Sequence, residues 1–168
     1  HREAQGGAAP ARAKHVPHGG PRASAESAAA DGGALARALC ARIAATEQEL
    51  AARGSGDCDA MRQALEHGRL ALESAIGYVV ANAQASPRAV YAGAVSYLRL
   101  AGLVLGGWQM ARAMMAAQDQ QASDPTFCGG KIATARFYAE ALLPQAGALA
   151  AAVLAAGATV ERMRPELF

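Results

Sequence analysis

Residues 94–117, "AVSYLRLAGLVLGGWQMARAMMAA", constrain the fold more than any other stretch of the chain. With the residues just before them they place Val90, Ala94, Tyr97, Ala101, Val104, Trp108, Ala111 and Met115 at helical spacing. A second apolar row holds Tyr91, Val95, Leu98, Gly102 and Leu105, and a third holds Leu100, Leu103 and Met110. A helix apolar around most of its circumference belongs in an interior, so other helices must cover it. The pattern predicts one helix from Pro87 to about Gln118, with Ser86 as its N-cap and Pro87 at its first position.

The rest of the chain supplies the cover. Asp31 is expected to cap a helix from about Gly32 to Ala52, with Leu35, Leu39, Ile43 and Leu50 on one face. After a turn at residues 53–57, Asp57 or Asp59 is expected to cap a second helix reaching about Ala85. Its apolar face is Met61, Leu65, Leu72, Ile76 and Val79. Asp124 and Pro125 open a fourth helix with Cys128, Ile132, Ala135, Ala139 and Leu142 inward. Pro144 kinks it, because proline removes a donor and clashes with the preceding turn. A last segment, about 145–162, carries Leu149, Val153, Ala156 and Val160, with Met163 beyond. Alanine, the best helix former, supplies 46 of the 168 residues, and no alternating β-branched run suggests a strand. The expected fold is all-α: an antiparallel up-and-down bundle of four main helices over residues 31–168, the last kinked at Pro144. Residues 1–30, rich in Gly, Pro, Ala and basic side chains with Val16 as the one large aliphatic residue, read as a flexible tail. The chain starts with His1 rather than Met, which reads as a fragment or a processed product.

Several function classes lose support at this stage. The net charge of +2 lies within residues 1–30, and the bundle sums to zero, so the folded part has no basic footprint for nucleic acid. Cys40, Cys58 and Cys128 are odd in number and widely spaced, which argues against a disulfide framework or zinc site and for a reducing cytoplasm. Residues 141–160 are uncharged and long enough to cross a bilayer. They are mostly Ala and Gly with Pro144 and Gln145, so no membrane span is expected. His67 directly follows Glu66, which turns the two side chains apart and fits no di-iron helix pattern. "CGGK" at 128–131 lacks the spacing and the hydroxyl of a phosphate loop. Cys128, close to Lys131, reads as a small core residue rather than a nucleophile.

Packing signals are stronger. Gly102 and Gly106 form a small-xxx-small pair that lets another helix approach. Arginines inside apolar helices need partners. Arg136 and Glu140 are one turn apart and can pair. Arg99 and Arg112 have no acid close in sequence; they are expected to meet Glu66 or Glu73 across the bundle, or an acid on another chain.

The run 92–117 followed by "KIATARFYAEALLPQAGALAAAV" closely resembles the extra C-terminal helical domain of the long acyl-CoA dehydrogenases. The residues that carry the resemblance are Tyr97-Leu98-Arg99, Gly107-Trp108, Lys131-Ile132-Ala133, and Phe137-Tyr138-Ala139-Glu140 through Leu143-Pro144-Gln145. "DGGALARALCARI" is similar to the opening of that domain. The resemblance implies a flavoenzyme parent, dependent on FAD, that oxidises acyl-CoA thioesters at the α,β-bond. In that family a flavin-binding region supplying the catalytic glutamate precedes this domain. Residues 1–30 match none of it, as a truncated gene or a shifted reading frame would produce, and Glu66, Glu73 and Glu140 do not correspond to that base. No catalytic, cofactor or metal residue is therefore expected here.

The expected role is packing and oligomerisation, with Tyr97, Arg99, Gly102, Gly106, Trp108, Arg112, Lys131, Arg136, Tyr138 and Glu140 as packing or interface residues. The expected partner is a catalytic acyl-CoA dehydrogenase region or a second copy of the chain, in a cytoplasmic homo-oligomer. A stand-alone interaction module that self-associates through its third helix is the alternative. A membrane-associated bundle, recovered only in detergent, is a third reading.

Overall fold

Helix α1, Ala34–Arg53, begins where Asp31 satisfies free backbone donors: Oδ1 accepts from the Gly33 N–H at 2.9 Å and Oδ2 from the Leu35 N–H at 2.8 Å. The chain is a computed structural model that describes residues 31–163; the tail expected over residues 1–30 lies outside the described residues. Cys40, Ile43, Thr46, Glu47 and Leu50 form the buried stripe of α1. Continued one turn back, that stripe falls on Ala36, not Leu35. Leu35 is accordingly 74% exposed, contrary to its expected place on the inner face.

Gly54 closes α1 in the left-handed region, φ 63°, where glycine alone is at ease. Helix α2, Gly56–Asn82, is capped by Ser55, whose Oγ accepts from the Cys58 N–H at 3.2 Å. The expected caps, Asp57 and Asp59, instead lie in the first turn, where their charge suits the helix dipole. Met61, Leu65, Leu72, Ile76 and Val79 are all buried, as the spacing predicts.

The helix expected from Pro87 to Gln118 is interrupted. Helix α3, Pro87–Ala92, opens at Ser86 and Pro87 and stops at Gly93; helix α4, Ala94–Asp119, continues from there. The break is a close approach. A Cβ on Gly93 would stand 3.0 Å from the backbone oxygen of Val153, so only glycine brings that backbone so near.

Helix α5, Pro125–Phe137, is capped by Asp124, whose carboxylate accepts from the Phe127 N–H at 3.0 Å. A π-helical turn, Tyr138–Leu142, and a 3-10 turn, Leu143–Gln145, lead into helix α6, Ala146–Arg162. The widened turn lies just ahead of Pro144, where a proline cannot extend the regular ladder. The deviation predicted at Pro144 is thus a local change of winding.

Among the described residues there are helices and no strand. Helices α2, α4 and the α5–α6 rod pack on one another, and α1 lies along α2 with its Thr46 side touching α4. The fold is the all-α antiparallel bundle. Its centre is Leu65, Leu100, Val104, Met114 and Leu143, each essentially without exposure.

Candidate functional site: the Trp108 cleft and the open face of α4

Trp108 is buried between α1 and α4, 7% exposed. Its Nε1–H donates to Thr46 Oγ1 at 2.8 Å, and the Thr46 hydroxyl in turn donates to the Arg42 carbonyl at 3.3 Å. An indole brings one donor into the core, and the small hydroxyl on the facing helix satisfies it. Two guanidinium groups lie over the indole, Arg42 at 5.2 Å and Arg112 at 5.6 Å from the ring centroid. Beside them Arg53 makes a two-pronged pair with Asp119, 2.7 and 2.9 Å, and donates to the Met115 carbonyl at 3.3 Å. This bond holds the Asp119 carboxyl below the usual carboxylate range. Together they line an open cleft of about 510 Å³ between the C-terminal halves of α1 and α4.

A second charged group welds α1 to α2. Arg69 Nε donates to both oxygens of Glu47, at 2.9 and 3.1 Å, and its Nη1 to Glu73 at 3.0 Å. Arg69 and Glu47 are 14% and 10% exposed, so both charges need the pairing. Nearby, burial first and the Glu73 charge second push the Cys40 thiol up to about 11. Glu66 pairs with Arg62 at 3.2 Å.

At the other end of α2, Arg136 joins Asp57 at 2.9 Å and Glu140 on the next turn. This tripod lines a cleft of about 680 Å³ with Gln118 and the exposed Phe137. Gln118 also donates to Ser55 Oγ at 3.1 Å and accepts from Cys58 Sγ at 3.3 Å.

The residues singled out in the sequence fall into three groups. Tyr97 and Trp108 are in the core, and Tyr138 is half-buried with its hydroxyl donating to the Leu103 carbonyl at 3.0 Å. Arg112, Arg136, Glu140 and Lys131 make side-chain contacts within the chain; Lys131 lies over the Phe127 ring at 5.2 Å while Cys128 is buried in the core. Arg99 and Gly102 face outward. The partners expected within the bundle for Arg99 and Arg112 are not found: Glu66 and Glu73 are held by Arg62 and Arg69 on their own helix, one turn away. Arg112 instead contacts Trp108 and Gln109, and Arg99 has no acid partner among the described residues.

The glycine pair also divides. A Cβ on Gly106 would collide with the Tyr138 hydroxyl, whereas nothing lies within 4 Å of one on Gly102. Gly107, not Gly102, is the second close approach: a Cβ there would stand 2.8 Å from Leu143 Cδ2. On the outward side of α4, Val95 and Leu98 are 57% and 47% exposed, and Gly102 and the half-buried Leu105 extend the same stripe.

Sequence reasoning missed Thr46, Arg42 and the Glu47–Arg69 pair. Thr46 and Glu47 sit three and four residues after Ile43 on the buried stripe of α1, which is the signal that marks them as interior.

The helices described here carry a pattern shared with known proteins. The family model described as "Acetyl-CoA dehydrogenase C-terminal like" matches residues 37–164. The chain belongs to this family. A curated relative, 3-methylmercaptopropionyl-CoA dehydrogenase of Ruegeria pomeroyi, is 36% identical over 120 residues, which cover 70% of the chain. The chain spans only 20% of that relative's length. No solved structure matches the chain.

Within this C-terminal-like domain, the stretch Pro125–Val160 is long and apolar enough, by length and composition, to cross a membrane. It nevertheless carries Lys131, Arg136 and Glu140, and Arg136 ties it to α2 through Asp57. Among the described residues no three His, Cys, Asp or Glu side chains come together as metal ligands would.

Proposed function

We propose that this domain is the C-terminal packing and oligomerisation element of an acyl-CoA dehydrogenase-like flavoenzyme, docking on the catalytic region or on a second copy. The observation that carries the reading is the apolar stripe of α4, with Val95, Leu98 and Gly102 exposed and the half-buried Leu105 at its end, on a helix whose opposite face is packed. Apolar faces of this kind mark contact surfaces. The family match and the dehydrogenase name of the relative support the parent enzyme.

The parent's flavin belongs, on this reading, to the catalytic region. The described residues do not fit it alone: the Trp108 ring is already covered by guanidinium groups, and Gly129 and Gly130 lie inside helix α5 rather than in a phosphate-cradling turn. Glu66, Glu73 and Glu140 are each paired to an arginine, an environment suited to packing rather than to proton abstraction. Three unpaired buried cysteines support a reducing, cytoplasmic location.

The purified chain is expected to be colourless and inactive on acyl-CoA, and to self-associate at micromolar concentration. Leu98→Glu should return it to a monomer in sedimentation equilibrium. Flavin absorbance in the purified chain would refute the proposal; a monomer before and after Leu98→Glu would remove the second copy as partner and leave the catalytic region. The same stripe favours the alternative, a stand-alone module that self-associates through α4. The DNA upstream of codon 1 separates the two: an acyl-CoA dehydrogenase catalytic region there in any frame supports the first, and its absence the second.

A further inference from the structure

We infer that the Trp108 cleft is a carboxylate-binding site, with Arg42 and Arg112 as its two arms and the indole as their common base. Arg53, Arg62, Arg69 and Arg136 are each bonded to an acid. Among the described residues Arg42 and Arg112 bond to no acid, although they come from different helices and converge on one ring at 5.2 and 5.6 Å. A ring contact satisfies none of a guanidinium's N–H donors, so they stay available to a carboxylate, their best geometric match. Arg112 spends one N–H on Gln109 at 3.2 Å, and the rest of its fork is open.

The lining is basic by one charge, which favours an anion. Three arginines face the cleft against two acids, Glu49 and Asp119. Asp119 is neutralised by Arg53 in a fork-to-fork pair, and Glu49 is ion-paired to none of the three. Trp108 is fixed by its bond to Thr46, so the surface on which both arginines rest is held in place. A cleft of about 510 Å³ is within the size of small-ligand sites, and it is open enough to admit either a free carboxylate or an acidic side chain.

This inference does not depend on the α4 stripe, so either can fail without the other. Trp108 is the sole tryptophan of the chain and reports directly on the cleft. The test titrates the full chain with malonate, with a tri-glutamate peptide and with inorganic phosphate, all at one ionic strength set by sodium chloride, and follows tryptophan emission. A saturable change with a carboxylate is expected. It should weaken at least about tenfold in Arg42→Gln/Arg112→Gln, which loses two charge-assisted contacts, and persist in Arg88→Gln, which changes an exposed arginine away from the cleft. Response to both malonate and the peptide supports the site and assigns a free carboxylate as sufficient. Response to the peptide alone supports it and assigns an acidic segment. Circular dichroism checks that each variant folds. No saturable change with either carboxylate, an unchanged affinity in the double variant, or tighter binding of phosphate than of malonate overturns the inference.

Discussion

Tyr138 closes over Gly106: its hydroxyl donates to the Leu103 carbonyl at 3.0 Å, and a Cβ on Gly106 would stand 3.1 Å from its Cζ. The next residue repeats the relationship with Leu143, which is fully buried. These two glycines let the π-helical turn and the 3-10 turn after it seat against α4.

The three glycines of α4 should therefore respond differently to alanine. Gly107→Ala forces Leu143 out of a filled core and should cost about 1–3 kcal/mol. Gly106→Ala should also destabilise, because Tyr138 must give up its bond to Leu103 in moving aside. Gly102→Ala meets nothing and lies on an exposed helical surface, so it should stabilise by up to about 1 kcal/mol. Urea unfolding of the three variants checks the order; equal effects at Gly102 and Gly107 would contradict it.

Thr46→Val keeps the shape of the side chain and removes the acceptor of the Trp108 Nε1–H. The indole donor is then left unsatisfied between α1 and α4, at a cost of about 1–3 kcal/mol. Thr46→Ser keeps the acceptor and should lose less. Denaturant midpoints for both, with the emission of Trp108 as the probe, provide the comparison.

Much of this bundle is legible in the sequence because its helices obey simple spacing. Met61, Leu65, Leu72, Ile76 and Val79 follow the three–four rule and are buried, and Asp124–Pro125 opens α5 as its residue types require. Three features were hidden for physical reasons. Gly93 breaks a continuous apolar pattern because the Val153 backbone approaches it, a contact 60 residues distant in sequence. Leu35 counts as apolar in any pattern, yet it lies one position off the buried stripe. Arg112 finds a ring rather than an acid, and no local spacing distinguishes those outcomes.

The Glu47–Arg69–Glu73 group tests how the bundle handles buried charge. Arg69→Leu leaves the largely buried Glu47 without a counter-charge and should destabilise by on the order of 3 kcal/mol. Glu47→Leu/Arg69→Leu should lose clearly less than the sum of the two single changes, because no interior charge is then stranded; Glu73, the more exposed partner, can turn to water. A double-mutant cycle in urea measures the coupling. Simple additivity would show that the ion pair carries no net interaction.

Cys40 should make the bundle sensitive to alkali. Its thiol ordinarily ionises near 9.0 and is pushed up to about 11 in the fold, first by burial and then by the Glu73 carboxylate. Between those values the unfolded chain has released the proton and the folded chain still holds it. The unfolded state then binds fewer protons, so stability falls as pH rises through this window and is unaffected below it. Tyr97 and Tyr138, both raised by burial, add to the fall in the same direction. Cys40→Ala removes only the thiol's share: the variant should be less stable at neutral pH, through the cavity it leaves, yet lose less between pH 9 and 11 than the parent. Urea midpoints across that range measure the two slopes, and parallel curves would show that the buried thiol does not titrate as its surroundings dictate.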